Sequence, residues 1–384
     1  MVENTTVLEQ TKGEKTMLKS NLENEKIKRK YYDYLKESQG YSDSTIKAVK
    51  KSIYRYEEFA DFENFSKFNK NKGIAFKNWL EKKQCPQSKK EISITTCYHY
   101  LRTLKDFFQW LSHQPSYKSK INITDVEFLK LPKEKVRIAV AQKREHYPTF
   151  EQIKQVISTI QINNEIDLRD RALISFTLLS GMRDSAIVSL PIGCFNEQTL
   201  EVSQDPKKKV KTKFSKTIHS VLFKFDDDML KYILDWVNYL KSEKQFSDID
   251  PIFPINKVGN AEGTHTFISN SIEPAFWQSL TSMRDIFKQR FENAGLEYFP
   301  PHCFRHLAVN MAISKCRDGH EIKAVSQNFG HEDVGTTLTT YGTLSNSRVK
   351  SIISEMNFSN SNNLDDELVL QLKEFLKQKA LGRF

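Results

Sequence analysis

Three observations predict a mainly α-helical protein with one small antiparallel β-sheet, divided between an all-α first domain and an α+β second domain. Apolar residues recur near 3.6-residue spacing through most of the chain, and only one stretch alternates as paired strands would. At 384 residues and 39% hydrophobic content, with 26 Phe and 14 Tyr, there is apolar material for two cores. The charge is also divided. Residues 1–147 hold 30 Lys and Arg against 19 Asp and Glu, and residues 148–384 hold 28 against 29. A basic half joined to a neutral half suggests that the first half grips a polyanion. The rival reading, a protein from a lysine-rich proteome, is not excluded by composition alone.

Residues 1–23 are polar and read as a flexible N-terminus. Residues 24–114 read as a small all-α domain of four amphipathic helices with basic outer faces. Its first helix, "KIKRKYYDYLKESQG", stops at Gly40, and its second opens on Ser42 and Asp43 as cap candidates. "NKGIAFKNWLEKKQ" gives a third. In the fourth, Tyr98, Leu101, Leu104, Phe108 and Leu111 form one stripe, with Arg102 and Lys105 beside it as candidate contacts to that polyanion. Residues 115–147, Lys-rich and holding Pro115 and Pro132, read as an interdomain linker. "TFEQ", Thr149 to Gln152, is a capping-box start, so the second domain spans 148–357.

That domain reads as helices over 150–161 and 167–180, a turn at Gly181, and a helix over Arg183–Leu190. Strands "TLEVSQ" and "SKTIHSVLFKF" follow, with a basic turn between them. Then come a helix over 227–242, an irregular region, and helices over 278–294, 302–317, 320–329 and 347–356. Residues 358–384 read as a spacer and an amphipathic helix, with Leu364, Leu368, Leu372, Phe375 and Leu376 on one face.

No run of 18 apolar residues exists, so no membrane span is expected, and the polar N-terminus lacks a signal-peptide core. Cys85, Cys97, Cys194, Cys303 and Cys316 are dispersed without CxxC pairing, which suits a reducing, cytoplasmic compartment and no structural zinc. His302 and His306 share a helix face as metal ligands would, but Cys303 and Phe304 stand where a zinc-protease motif needs its glutamate. No metal and no cofactor are expected.

The positions that carry chemistry are ordered along the second domain: Arg183 in "SGMR"; Lys207, Lys208, Lys209, Lys211 and Lys213 in the turn; His302 and Arg305 in "PPHCFRH"; His331 and Tyr341 in "FGHEDVGTTLTTY". Singly, each fits an ordinary role: a surface arginine, a solvated turn, a structural histidine after a helix cap, a packed tyrosine. Cleaving a phosphodiester without a metal needs cations for the nonbridging oxygens, which two guanidinium forks supply. A phenol suits a nucleophile that must hold the broken strand.

In this order the set resembles the tyrosine recombinase (phage integrase) family, over about residues 24–350, in its two-domain form with core-binding and catalytic domains. The resemblance implies strand cleavage and rejoining through a 3′-phosphotyrosyl intermediate and a Holliday junction, with Tyr341 as nucleophile. Arg183, Arg305, His302 and His331 would surround the phosphate, and Lys211 would be the general acid, with Lys209 and Lys213 as rivals in the same turn. Implied partners are double-stranded recombination sites, closed upon by the two domains. A homotetramer is implied on DNA, with the C-terminal helix docked on a neighbouring protomer. The setting would be nucleoid-associated, prokaryotic or phage-derived, and the role integration and excision of a mobile element. Alternatives are Xer-like chromosome-dimer resolution and type IB topoisomerase-like cleavage without synapsis. Two departures stand out. Ala186 replaces the acidic residue usual three after the first arginine, and too few residues precede 24 for an arm-type domain.

Overall fold

The computed structural model describes residues 20–84, 91–140, 146–260, 267–331, 334–335 and 354. The chain divides into two compact units, Met1–Lys143 and Arg144–Phe384. Calls that fall on Tyr341, on the helix over 347–356 and on the apolar face Leu364, Leu368, Leu372, Phe375 and Leu376 lie outside the described residues.

The first unit is built from α1 (Leu22–Asp33), α2 (Asp43–Phe59), α3 (Lys70–Lys82), α4 (Ile94–Ser112), α5 (Ile123–Val126) and α6 (Lys133–Val140). Side-chain oxygens of Asn21, Ser42, Asn69 and Ser93 cap the first four, accepting from backbone N–H groups of the first turn. The core is aromatic. Tyr56 lies edge-on to Phe68, Phe76 and Phe108 at 5.1–6.0 Å between centroids, a geometry that ring quadrupoles favour. Polar groups inside it are paired: Asn24 binds the Glu63 carbonyl and the Phe65 N–H, and Lys28 meets Glu57 at 2.7 Å.

The stretch expected as a linker, 115–147, departs from that reading. Tyr117, Ile121, Val126, Leu129 and Leu131 are buried in the first unit's core, and α5 and α6 pack on α4. These apolar residues satisfy no single period, but each supplies a contact that closes the open side of α4.

The second unit comprises α7 (Phe150–Thr159), α8 (Glu165–Ser180), α9 (Asp184–Ile187), β1 (Phe195–Asn196), β2 (Glu201–Gln204), β3 (Ile218–Val221), α10 (Asp227–Ser242), β4 (Ile255–Asn260), β5 (Phe267–Glu273), α11 (Thr281–Asn293), α12 (Pro301–Ile313) and α13 (Gly319–Asn328). The Thr149–Gln152 capping box forms as expected. Helix α8 is buried along most of its length, the charged Asp167, Arg169 and Asp170 of its first half included, because α10 and α12 pack against it. Strands β1, β2 and β3 make one antiparallel sheet in that order, with Val202 opposite Ser220. The region expected to be irregular after residue 242 contains the antiparallel pair β4–β5, whose polar residues, with Gly259 in β4, hide the strand alternation. The helix expected over Arg183–Leu190 is a single turn. Among the described residues no helix is long and apolar enough to cross a membrane.

Candidate active site

Two glycines set the geometry. Gly181 ends α8 at φ +53°, and a Cβ there would stand 2.2 Å from the Phe329 ring. Gly330 follows α13 at φ +67°, and a Cβ there would stand 2.6 Å from Ile218 of β3. Both positions need the left-handed conformation and close approach that glycine alone permits. The first turns the chain so that Arg183 becomes the N-cap of α9. The second lays His331 beside the end of α8.

Arg305 joins these pieces. It is 3% exposed, and its Nη1 donates to the Gly181 carbonyl at 2.8 Å. Its Nη2 donates to the Phe329 carbonyl at 2.7 Å and lies 2.8 Å from His331 Nε2. A guanidinium has no acceptor, so Nε2 accepts and the His331 proton sits on Nδ1. The imidazole is therefore neutral. Desolvation, then the Arg305 and Arg183 charges, push its pKa down to about 3.

His302 sits in the first turn of α12, after Pro300 as N-cap and Pro301 at the first helical position. Its side chain reaches solvent, yet neighbouring atoms desolvate its ring and lower its pKa. Asp184 opposes that shift, and Arg305 and Arg183 add to it. One turn on, His306 is buried with its ring edge-on to His302 at 4.9 Å. Burial first, then His302 and Arg305, push its pKa to about 4. Arg183 and Arg305 thus both lie within electrostatic reach of His302 and of His331.

The connection between β2 and β3 is more than a solvated tip. Pro206–Lys208 form a 3₁₀ turn, Lys209 is left-handed at φ +66°, and Val210 is buried. Lys207, Lys208, Lys209, Lys211 and Lys213 are all exposed. The Lys211 N–H donates to Ser189 Oγ at 2.8 Å, which ties that residue to the segment just after α9. The Lys213 ammonium lies over the Phe214 ring at 4.7 Å.

Asn328 was not singled out by sequence. Its side chain donates to the Val221 carbonyl at 3.0 Å and accepts the Val221 N–H at 2.6 Å, closing the edge of β3 beside Gly330 and His331. Its place three residues before His331 is the only sequence signal it carries. In the first unit, Arg102 is exposed at a cleft of about 620 Å³ shared with Tyr31, Asp106 and Trp110. Lys105, by contrast, is engaged by Glu127 at 2.9 Å. Among the described residues, no group of three or more His, Cys, Asp or Glu gathers as a metal site.

Comparison with known proteins follows these lines. A profile of the phage integrase family matches residues 147–348, and one of the phage integrase N-terminal SAM-like domain matches residues 29–115. Tyrosine recombinase XerC of Lactobacillus leichmannii is 21% identical over 321 residues, 81% of this chain and 92% of its own length. Tyrosine recombinase XerC of Leptospira interrogans is 25% identical over 329 residues, 84% of this chain and 90% of its own. Among solved structures, the fold is similar to a lambda integrase(75-356) dimer bound to a COC′ core site, with TM-score 0.55, 13% identity, and 82% and 94% of the two chains covered. It is also similar to the XerH site-specific recombinase bound to palindromic difH substrate, with TM-score 0.55, 16% identity, and 85% and 84% covered.

Proposed function

The chain belongs to the phage integrase family and is a tyrosine-type site-specific DNA recombinase; from that premise we propose how its residues divide the work. The observation that carries the reading is Arg305, whose guanidinium meets the Gly181 carbonyl, the Phe329 carbonyl and His331 within 2.8 Å. It gathers three of the sequence motifs at one point.

In the proposed step, the Tyr341 phenolic oxygen attacks the scissile phosphorus. The phosphorus–Oη bond forms, the bond to O5′ breaks, and the strand is left as a 3′-phosphotyrosyl ester. Arg183 and Arg305 bind the nonbridging oxygens, whose charge grows in the transition state. Lys211 gives its proton to O5′, so that a 5′-hydroxyl departs instead of an alkoxide. His302, whose lowered pKa keeps it neutral at pH 7, is the proposed acceptor of the tyrosine proton, and His331 hydrogen-bonds the phosphate. Attack by a 5′-hydroxyl reverses the step and rejoins the strand.

Both units contact the same duplex in this reading, the first through its excess of Lys and Arg. Of its two candidate contacts, the exposure of Arg102 supports the reading, while Lys105 is paired with Glu127. The partners are double-stranded recombination sites, and the assembly is a tetramer that exchanges strands through a Holliday junction. The cell compartment proposed is the cytoplasm, at the nucleoid of a prokaryotic or phage-bearing host. We take the role to be integration and excision of a mobile element. Chromosome-dimer resolution is the second reading, favoured by the XerC names of the relatives.

Covalent trapping tests the chemistry. Duplexes selected from a random pool by binding are nicked and incubated with the full chain in EDTA. A protein–DNA adduct on a denaturing gel is expected from the wild type and not from Tyr341→Phe. Bound duplexes that yield no adduct refute the assignment. The C-terminal face Leu364, Leu368, Leu372, Phe375 and Leu376 is proposed to dock on a neighbouring protomer. A chain ending at residue 358 should then still form the adduct but lose junction formation at least tenfold. Junctions formed at the full rate exclude that docking.

A further inference from the structure

We propose that Ser189 is a positioning residue that holds the general-acid lysine in register with the phosphate-binding arginine. The inference rests on the reading of Lys211 as that acid and identifies what places it. The β2–β3 connection runs from Asp205 to Thr217 and offers three lysines, Lys209, Lys211 and Lys213, on a basic, largely exposed loop. Sequence spacing does not choose among them. The backbone does.

Lys211 is tied on both sides of its peptide to the segment that begins with Arg183. Its N–H donates to Ser189 Oγ at 2.8 Å, and its carbonyl accepts from Ser185 Oγ at 3.4 Å. The Ser189 hydroxyl is 2.8 Å from the Ser185 carbonyl, to which it donates, so its proton is used there and a lone pair is left for Lys211. Ser189 is 6% exposed, and Val210 beside the clamp is 2% exposed, so water does not readily replace the serine. The rivals are held differently. The Lys209 N–H returns to the Pro206 carbonyl within its own turn at 2.9 Å, and the Lys213 ammonium rests on the neighbouring Phe214.

The consequence is geometric. A lysine carries four rotatable bonds, so delivering its ammonium to one oxygen is costly unless its Cα is fixed relative to the substrate. Arg183 begins the short turn α9, and Ser189 lies just past that turn's end. If Arg183 holds the phosphate, the serine fixes the distance from that phosphate to the Lys211 Cα. As the bond between phosphorus and O5′ breaks, the Lys211 proton moves to O5′, and the clamp decides how often the ammonium is within reach.

The test compares Ser189→Ala and Ser189→Cys with wild type. The second variant nearly keeps the volume but replaces the oxygen acceptor with a poor one, which guards against a packing effect. Each full-length protein is given the nicked duplex defined by trapping, in two forms: the ordinary phosphodiester, and the same site with sulfur in place of the bridging 5′ oxygen. A 5′-thiolate leaves without a proton, so its departure is indifferent to the acid. On the oxygen substrate both variants should cleave about tenfold more slowly, a fraction of the roughly 10²–10⁴-fold that general-acid catalysis supplies. On the sulfur substrate they should match wild type. Wild-type speed on oxygen overturns the inference, and so does equal slowing on both substrates, which a merely structural serine would give. Lys211→Ala separates the two possible failures. If sulfur does not restore its rate, the general-acid reading falls and the inference with it. If sulfur restores Lys211→Ala but neither serine variant, only the serine's role falls.

Discussion

The two ends of α8 bury arginines in opposite ways. At its N-terminal end, Arg290 reaches Asp167 at 2.7 Å and Asp170 at 2.7 Å, and Arg169 takes the other Asp170 oxygen at 2.8 Å. Arg169 also donates to the Pro254 carbonyl at 3.0 Å, and the two carboxylates hold the Arg290 guanidinium more basic than usual. At the C-terminal end, the acceptors of Arg305 among the described residues include two carbonyls and an imidazole nitrogen. There burial first, and then the Arg305 and Arg183 charges, lower the pKa values of His302 and His331. Burial of an arginine is therefore not itself the mark of a reactive site. The kind of acceptor is. Carboxylates at one end lock α11 to α8, whereas carbonyls at the other orient a cation whose field still reaches its neighbours.

Breaking each end in turn should give opposite losses. Arg290→Met leaves two largely buried carboxylates undercompensated, Asp167 with the Asn163 N–H and Asp170 with Arg169, and should cost about 3–5 kcal/mol of folding stability. Denaturant unfolding of the full chain measures it, while single-turnover cleavage per folded molecule stays unchanged. Arg305→Lys keeps the charge but loses the fork. It should slow cleavage by about 10²–10³-fold, equivalent to roughly 2.7–4 kcal/mol in the barrier. Its stability loss should be only about 1–2 kcal/mol, from the bonds to Gly181 and Phe329. Equal stability losses in the two variants, or a cleavage defect in Arg290→Met, would erase the distinction.

Much of the second unit was legible because its signals are local. A glycine that must be left-handed, a capping box, and a proline pair at a helix start each act within a few residues, so Gly181, Thr149 and Pro300 announced the turns that position Arg183, α7 and α12. What was not legible depends on partners far along the chain. Lys105 sits beside an apolar stripe on a helical wheel, but Glu127, 22 residues on, claims it. Tyr117, Ile121, Val126, Leu129 and Leu131 follow no period, and a Lys-rich stretch bounded by prolines resembles a linker until α4 is present to cover. The structural support for proposing Lys211, which the resemblance singles out over Lys209 and Lys213, comes from a hydroxyl 22 residues away. No spacing rule within the turn contains that information. The β4–β5 pair was missed for a related reason: its two partners are separated by residues that break the alternation.

The smallest effect expected is the most specific to the reactive end. In the free protein the His331 pKa lies near 3 and that of His306 near 4, both below the ordinary 6.5. A folded-state pKa that is depressed contributes stability above the unfolded pKa and loses it as pH falls. The free protein should therefore become less stable from about pH 6.5 downward, as the unfolded chain takes up protons that these imidazoles refuse. A DNA phosphate at Arg183 and Arg305 opposes the field that holds His331 down. Binding should then raise its pKa and take up a proton, so affinity should strengthen as pH falls while stability weakens. Burial, the largest cause of the depression, remains in the complex, so the gain in affinity between pH 7.5 and 6 should stay below the roughly fourfold that a full return to the ordinary value would give. Fluorescence titration of a labelled duplex, at fixed salt because phosphate contacts are salt-dependent, measures this slope. The slope should vanish in His331→Gln. A flat wild-type profile, or a slope that survives the substitution, would mean that the phosphate does not sit within the field of these two arginines.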